Sequence, residues 1–219
     1  MSKPGIILQH GSAAPPGLLG EFLLEQGIPH RVHPVWEQPV PALADARFVV
    51  SLGSEFSAGG SAPDWVPSEI DAIRAAVDAG VPVLGLCFGG QALAVALGGG
   101  VRRTDVPEIG WVAVQSDDPE VPTGPWAQYH YEVLDVPPGA RELARSAGGP
   151  AAFRAGPHLG VQFHPEVTGD QLNAWLEMDP ALPAGFDRAA VVADTERHAA
   201  AAARQAKTLF GAWFARLPG

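Results

Sequence analysis

The chain has 219 residues, of which 47% are hydrophobic and 17% charged, with one cysteine and a formal net charge of −10. A single cysteine excludes an internal disulfide and any metal site that needs two thiolate ligands. The acidic balance, 14 basic against 24 acidic residues, and the lack of a Lys/Arg cluster disfavour nucleic-acid binding. Near the start the apolar stretch is only three residues long, far short of a signal peptide core, and no stretch approaches the length of a membrane span, so we expect no membrane role and a cytoplasmic location.

The first half of the chain alternates short apolar runs with longer amphipathic stretches, a pattern typical of a parallel sheet flanked by helices. In chain order we expect a strand at 6–9, a helix at 18–26, a strand at 48–52, a helix at 68–79, a strand at 81–86 and a helix at 89–97. Residues 54–65 contain too many helix and strand breakers to be regular. The periodicity of the helix at 68–79 predicts that Glu69, Asp71 and Asp78 face outward.

The second half has more β character. We expect strands at 109–115 and 158–163, loops or turns at the Pro/Gly-rich pieces 121–126 and 137–139, and helices at 171–178 and 188–216. No repeat, low-complexity linker or clear boundary interrupts the chain. We therefore expect a single domain over residues 1–219.

The lone cysteine lies where a buried strand is expected to end and a helix to begin, in the string GLCFGGQ at residues 85–91. A nucleophile elbow needs small residues two positions before and after the nucleophile, because its strained turn brings the neighbouring backbone close; Gly85 and Gly89 meet that need. A helix N-terminus favours the thiolate form of Cys87 and leaves the Phe88 N–H free to donate to an oxyanion. Taken alone, the pattern fits a small buried hydrophobic residue equally well.

A base for this cysteine is found in the string QFHPE at residues 162–166, directly after an expected strand. In an extended segment, residues two apart point to the same side, so His164 and Glu166 face each other across the intervening proline. A carboxylate bonded to one imidazole nitrogen leaves the other nitrogen to take a proton from a thiol. A structural histidine and a solvated glutamate are the alternatives for each residue singly, but together with the elbow they favour a Cys-His-Glu triad.

These two strings, in this order, resemble the nucleophile and His-Pro-Glu motifs of the class I (triad) glutamine amidotransferases, and weaker similarities extend over nearly the whole chain. The chain looks closest to free-standing members that resemble the glutaminase part of GMP synthetase. The resemblance implies a doubly wound, flavodoxin-like α/β fold with a mostly parallel sheet, helices on both faces and the site at the carboxyl ends of the strands. It implies neither a metal nor a cofactor.

The resemblance also implies a role for each matching residue. Cys87 attacks the side-chain amide carbon of glutamine, His164 relays the proton to departing ammonia, and Glu166 orients His164. Water then cleaves a glutamyl thioester. The backbone N–H groups of Phe88 and Gly53 hold the oxyanion.

Four further residues are implied on the substrate side of the site: Gln91, Ser54, His130 and Tyr131. The chain departs from the family at two of these places, with Leu-Gly-Ser at 52–54 where many relatives have Gly-Gly-Pro, and His-Tyr-Glu at 130–132 where they often have His-Gly-Asp or His-Ser. A bulky Tyr131 would change which amide is accepted or how ammonia leaves. An exposed loop without a role fits residues 130–132 equally well, and an ordinary polar helix residue is the alternative for Gln91.

The sequence contains no phosphate-binding loop of the Gly-x4-Gly-Lys-Ser/Thr type and no room for an ATP-dependent synthetase domain. We therefore expect a glutamine-hydrolysing amidotransferase that delivers ammonia to a partner synthase. A self-sufficient hydrolase of γ-glutamyl amides, with water as the final acceptor, is the alternative. A degenerate binding or regulatory module is a third hypothesis, and the intact Cys87, His164 and Glu166 argue against it.

Overall fold

The computed structural model describes residues 3–61, 63–180 and 182–217. The strands are β1 (Gly5–Gln9), β2 (His30–Pro34), β3 (Val49–Ser51), β4 (Val83–Leu86), β5 (Gly100–Ser116), β6 (Gly124–Asp135), β7 (Arg141–Arg145), β8 (Pro150–Ala155) and β9 (His158–Val161). The helices are α1 (Gly17–Glu25), α2 (Trp65–Asp78), α3 (Phe88–Ala96), α4 (Gly169–Met178) and α5 (Arg188–Phe214). None of these described helices has both the length and the apolarity needed to cross a bilayer.

The strands form one mixed sheet in the order β2-β1-β3-β4-β9-β8-β7-β5-β6. The first five strands of that order, β2 to β9, pair in parallel. The remaining neighbours, β9-β8, β8-β7, β7-β5 and β5-β6, pair antiparallel. The predicted flavodoxin-like α/β fold is confirmed, although only this first half of the sheet is parallel. Short connections between β5 and β9 carry no crossover helix, which antiparallel neighbours do not need.

The parallel half is buried on both faces because alternate residues of each strand point to opposite sides. Along β1, Ile7 joins a cluster with α1 and α5, whereas Ile6 and Leu8 join a cluster with α2 and α3. Aromatic residues of α5 close the first cluster, where the Trp213 indole N–H donates to the Pro157 carbonyl at 3.1 Å. Helices on both faces leave the strand ends as the open edge at which a site can form.

The prediction that Glu69 faces outward is wrong. Helix α2 begins at Trp65, three residues earlier than expected, and the Glu69 side chain is fully buried while Asp71 and Asp78 are exposed. Glu69 lies four residues before Ile73, which places it on the buried face of the helix. Helical position therefore decides its burial, and its charge is accommodated by hydrogen bonds.

Three further expectations need correction. Residues 121–126 are not all loop, because β6 begins at Gly124. The alternative of an exposed loop at 130–132 is wrong, since these residues lie within β6. The edge strand β2 was not expected, because its sequence, HRVHP, is mostly polar. In the irregular stretch 54–65, Ala62 lies outside the described residues.

Candidate active site

A strained turn presents Cys87 between β4 and α3. Among the described residues other than glycine, Cys87 alone has a positive φ, with φ 51° and ψ −105°, a backbone state that costs about 1–3 kcal/mol and is typical of functional sites. A Cβ added at Gly85 would lie 2.2 Å from the Gly89 carbonyl oxygen, and one added at Gly89 would lie 2.0 Å from the Ser51 carbonyl oxygen. The structure thus requires both glycines that the sequence pattern singled out.

The order of the strands brings Cys87 and His164 together. Strand β4 pairs in parallel with β9, so the segments that follow both strands leave the same edge of the sheet. The His164 backbone N–H donates to the Ala127 carbonyl at 2.8 Å, which holds this segment against β6. The His164 side chain lies beside Cys87, near enough for the two groups to interact electrostatically, and its Nδ1 lies 2.8 Å from Glu166 Oε1. The three side chains predicted as a triad therefore form a continuous chain of contacts.

The electrostatics of this chain favour a protonated His164. Burial alone lowers the pKa of the imidazole, but the adjacent Cys87 and Glu166, through charge and hydrogen bonding, raise it to about 10. All three residues are buried, so water screens their interaction weakly. The arrangement therefore stabilises the imidazolium form of His164.

Two backbone N–H groups lie where an oxyanion could be held. Phe88 is the first residue of α3, so its N–H has no acceptor within the helix. Gly53 packs against the triad, since a Cβ there would lie 2.6 Å from His164 Cε1. The Leu52 carbonyl accepts a hydrogen bond of 3.1 Å from the Gly89 N–H, which ties the Gly53 loop to the elbow.

A cavity of about 910 Å³ opens above the cysteine. Of the residues predicted for the site, all but Glu166 line it: Gly53, Ser54, Cys87, Phe88, Gln91, His130, Tyr131 and His164. Its wall also includes charged side chains that the sequence reasoning did not assign, among them Glu55, Arg103 and Asp179. Within the described ranges, no group of three or more His, Cys, Asp or Glu side chains is arranged to hold a metal ion.

The Gln91 side chain hydrogen-bonds to other residues of the protein. Its side chain is nearly fully buried, and its Nε2 donates to the Glu132 carbonyl at 3.1 Å and to Gln162 Oε1 at 3.4 Å. Ser54 has a local role, because its hydroxyl accepts a hydrogen bond of 3.2 Å from the Phe56 N–H. Both residues shape the cavity while also stabilising its walls.

His130 and Tyr131 each present a polar atom without a partner among the described residues. His130 Nε2 lies 2.9 Å from Gln128 Oε1 and 3.3 Å from Glu108 Oε2, whereas its Nδ1 is buried and unpaired in this part of the chain. The Tyr131 hydroxyl is likewise buried and unpaired there. Because buried polar groups normally have partners, these two atoms are exceptions in residues that line the cavity.

Sequence reasoning missed several residues around the triad. Gln162 Nε2 lies 3.7 Å from the Cys87 sulfur, while Gln162 Oε1 accepts from the Leu134 N–H at 2.9 Å. The Trp175 ring packs edge-on against His164 with 5.0 Å between ring centroids. Gln162 belongs to the quoted QFHPE string and could have been weighed, whereas nothing around Trp175 in the sequence signals its position.

Comparison with known families agrees with this geometry. Residues 55–180, more than half of the chain, match the family model described as glutamine amidotransferase class-I. The chain belongs to this family. The match covers the elbow cysteine and the His-Pro-Glu segment, so the contacting residues lie in the part of this amidotransferase that defines the family.

Similar proteins include GMP synthases and a glutamine amido transferase of known structure. The amidotransferase chain is 37% identical over 142 residues to the GMP synthase (glutamine-hydrolyzing) of Parafrankia sp., covering 60% of this chain and 26% of that protein. It is 32% identical over 195 residues to that of Aeropyrum pernix, covering 81% and 37%. A glutamine amido transferase structure from Methylobacillus flagellatus superposes with a TM-score of 0.90 at 29% identity, covering 100% of this chain and 96% of that one. The matches to the two GMP synthases thus cover only 26% and 37% of the length of those proteins.

Proposed function

We propose that this class-I glutamine amidotransferase hydrolyses the side-chain amide of glutamine, with Cys87 as nucleophile, His164 as proton carrier and Glu166 as the group that orients His164. The observation that carries this proposal is the unbroken contact from the strained Cys87 through His164 to Glu166 at the wall of a large cavity. Nucleophile, base and orienting carboxylate in sequential contact are the arrangement needed for acyl transfer. We propose that residues 1–219 form one domain that carries this activity.

In the first half-reaction, the Cys87 thiolate attacks the γ-amide carbon and the C=O π electrons move onto oxygen. The N–H groups of Phe88 and Gly53 stabilise that oxyanion. As the tetrahedral intermediate collapses, the C–N bond breaks and the His164 imidazolium donates its proton to nitrogen, releasing ammonia. The product is a glutamyl thioester on Cys87 with neutral His164.

In the second half-reaction, neutral His164 removes a proton from water as the water oxygen attacks the thioester carbon. Collapse of this second intermediate breaks the C–S bond and releases glutamate. Cys87 leaves as thiolate beside the regenerated imidazolium. Glu166 Oε1, 2.8 Å from His164 Nδ1, accepts the Nδ1 proton in a hydrogen bond during both half-reactions, so Nε2 stays available for proton transfer.

We further propose that the ammonia is consumed by a separate synthase. The GMP synthases to which the chain is similar are much longer than the matched region, since the match covers 26% of one and 37% of the other. The part of such a protein outside the matched region is the model for the synthase that we propose as the partner. The unpaired cysteine is consistent with a reducing, cytoplasmic location.

A self-sufficient hydrolase of γ-glutamyl amides is a second candidate, and the cavity favours it. Pockets of about 300–1,000 Å³ suit drug-sized ligands, and the cavity here is about 910 Å³. That is more room than a free amino acid needs. An amide with a larger amine portion would fill it, with its amine near the charged wall residues Glu55, Arg103 and Asp179.

The test is to incubate the purified protein with glutamine and with a panel of γ-glutamyl amines, and to measure glutamate release. Cys87→Ser should abolish release, and His164→Ala should greatly slow labelling of Cys87 by an electrophilic glutamine analogue. His198→Ala, at a histidine outside the cavity, is the matched control. If wild type neither releases glutamate nor becomes labelled at Cys87, the proposal is wrong.

The same assay separates the two candidates. A synthase subunit should turn glutamine over slowly alone and faster once a co-purifying synthase is added. A self-sufficient hydrolase should reach its full rate alone and should prefer one of the γ-glutamyl amines to glutamine.

A further inference from the structure

A buried polar cluster lies behind the loop that carries Gly53, and the reaction steps above do not use it. His10 is 2% exposed, and Glu69 and Ser51 are each 0% exposed. His10 Nε2 lies 2.9 Å from Glu69 Oε2, and the Ser51 hydroxyl donates to Glu69 Oε1 at 2.7 Å. The other ring nitrogen, His10 Nδ1, lies 3.0 Å from the Gly53 carbonyl oxygen. The cluster thus connects helix α2 to the proposed oxyanion loop.

The acceptors around His10 determine which way its protons point. The Gly53 carbonyl can only accept, so His10 Nδ1 must carry a hydrogen and donate it. One more proton lies between His10 Nε2 and Glu69 Oε2, whichever of the two atoms holds it. The Ser51 hydroxyl donates to the other oxygen, Glu69 Oε1. In either arrangement the donor that faces Gly53 is the same.

Both peptide planes that flank Gly53 are held through their carbonyl oxygens. The Leu52 carbonyl accepts from the Gly89 N–H at 3.1 Å, and the Gly53 carbonyl accepts from His10 at 3.0 Å. A glycine has no side chain to restrict its backbone rotation. The Gly53 N–H belongs to the first plane, which is joined to the second at the Gly53 Cα. Without His10 the second plane would lose its anchor, and the contact between the Leu52 carbonyl and the Gly89 N–H would have to hold the Gly53 N–H without that support.

The same imidazole ring also supports Phe88, the other residue assigned to the oxyanion. The His10 ring stacks on Trp65 with 4.9 Å between centroids and 20° between planes, and it meets the Phe88 ring edge-on at 4.8 Å. One side chain therefore contacts both halves of the proposed oxyanion site. Buried ionisable groups seldom raise stability above that of apolar replacements, so stability alone gives little reason for this cluster.

We infer that His10 is a positioning residue: anchored by Glu69, it fixes the Gly53 carbonyl and supports the Phe88 ring, so that both backbone N–H groups are directed at the oxyanion. This inference rests on the proposed function for the reaction that the oxyanion site serves. It assigns a role in positioning the oxyanion donors to His10 and Glu69, which are 59 positions apart in the chain. Neither touches the reacting atoms.

Two substitutions of His10 separate its two hydrogen bonds. His10→Asn places an amide N–H near the position of Nδ1 and keeps the donor to Gly53, whereas His10→Gln reaches the position of Nε2 and keeps only the bond to Glu69. Cys87 acylation by p-nitrophenyl acetate passes through an oxyanion. Alkylation by iodoacetamide displaces iodide at a saturated carbon and does not. The ratio of the two rates, with Cys87→Ser as the background, therefore reports the oxyanion site.

Complete loss of one oxyanion donor lowers rates by roughly 10²–10³-fold, and loss of its positioning should cost less. We expect His10→Gln to lower the acylation-to-alkylation ratio by about 10- to 100-fold, within that limit. His10→Asn should stay within about threefold of wild type, and Glu69→Gln, which keeps the shape of the side chain, should fall between the two. Alkylation itself should be nearly unchanged in all three, because the triad is intact.

An unchanged ratio in His10→Gln, or an equal fall in His10→Asn and His10→Gln, would overturn the inference. The second result would mean that His10 acts only through packing, and thermal melting would then show equal losses of stability. Failure of the proposed function has a different signature. If wild type does not hydrolyse glutamine but the variants still differ in the acylation-to-alkylation ratio as expected, the proposed function is wrong and the positioning role of His10 is supported.

Discussion

An alanine at Gly53 tests the close approach of the oxyanion loop to the triad. A Cβ at this position would lie 2.6 Å from His164 Cε1, whereas ordinary contacts begin at 3.4 Å. The imidazole or the loop must therefore move by the difference, about 0.8 Å. Because a misplacement of about 1 Å in an active site can cost roughly 10²-fold in rate, we expect kcat to fall by about that factor. The corresponding rise in the activation barrier is about 2.7 kcal/mol.

The assay is glutamate release under saturating substrate, combined with the rate of Cys87 alkylation by iodoacetamide. Both should fall in Gly53→Ala, because the displaced group is His164, the proposed base for Cys87. Gly211→Ala is the matched control, since a Cβ there meets nothing within 4 Å and the position lies in helix α5. Wild-type values of both rates in a folded Gly53→Ala protein would refute the placement of His164 against this loop.

Three other changes have defined outcomes. Burial lowers the pKa of His164, but neighbouring charges raise it to about 10. The imidazolium form is therefore lost only as the pH rises through that value. Glu166→Gln should lower this pKa and move the alkaline limb of the kcat/KM profile to lower pH. A limb that does not move would contradict the pairing. Phe210→Ala, at a fully buried ring of α5, should cost about 3–5 kcal/mol in urea unfolding, and a loss below about 1 kcal/mol would contradict its burial. Gln162→Met leaves the buried Leu134 N–H without its acceptor, so we expect a loss of about 1–3 kcal/mol in the same experiment, and an unchanged unfolding midpoint would mean that this hydrogen bond contributes nothing.

The parallel half of the sheet was predictable because its strands are short apolar runs. The expected strands at 6–9, 48–52 and 81–86 correspond to β1, β3 and β4, each within two residues at either end. Strand β2 was not predicted because it lies at the edge of the sheet, where polar residues and a terminal proline are tolerated. The local pattern of residues therefore gives a weaker signal for a polar edge strand than for the buried strands of the parallel half.

Glu69 shows how residue type can mislead where position is informative. Ile73 and Ala76 lie on the buried face of α2, and Glu69 precedes them by four and seven residues on the same face. A charged residue on such a face is an exception that must be paired. Its partners are distant in sequence, since His10 is 59 residues away and Ser51 is 18 residues away. Only the folded chain reveals them.

The triad could be predicted from sequence because each of its parts is constrained locally. The elbow needs glycines on either side of Cys87 within one turn, and His164 and Glu166 contact each other across a single residue. The surrounding network has no such local constraint, because each of its contacts joins two elements through one hydrogen bond, as between His10 and the Gly53 carbonyl. The elbow around Cys87 and the His164–Glu166 pair are each local arrangements and so leave motifs. Groups that position them need only meet in space, and the backbone carbonyl that His10 anchors has no side chain for a motif to record.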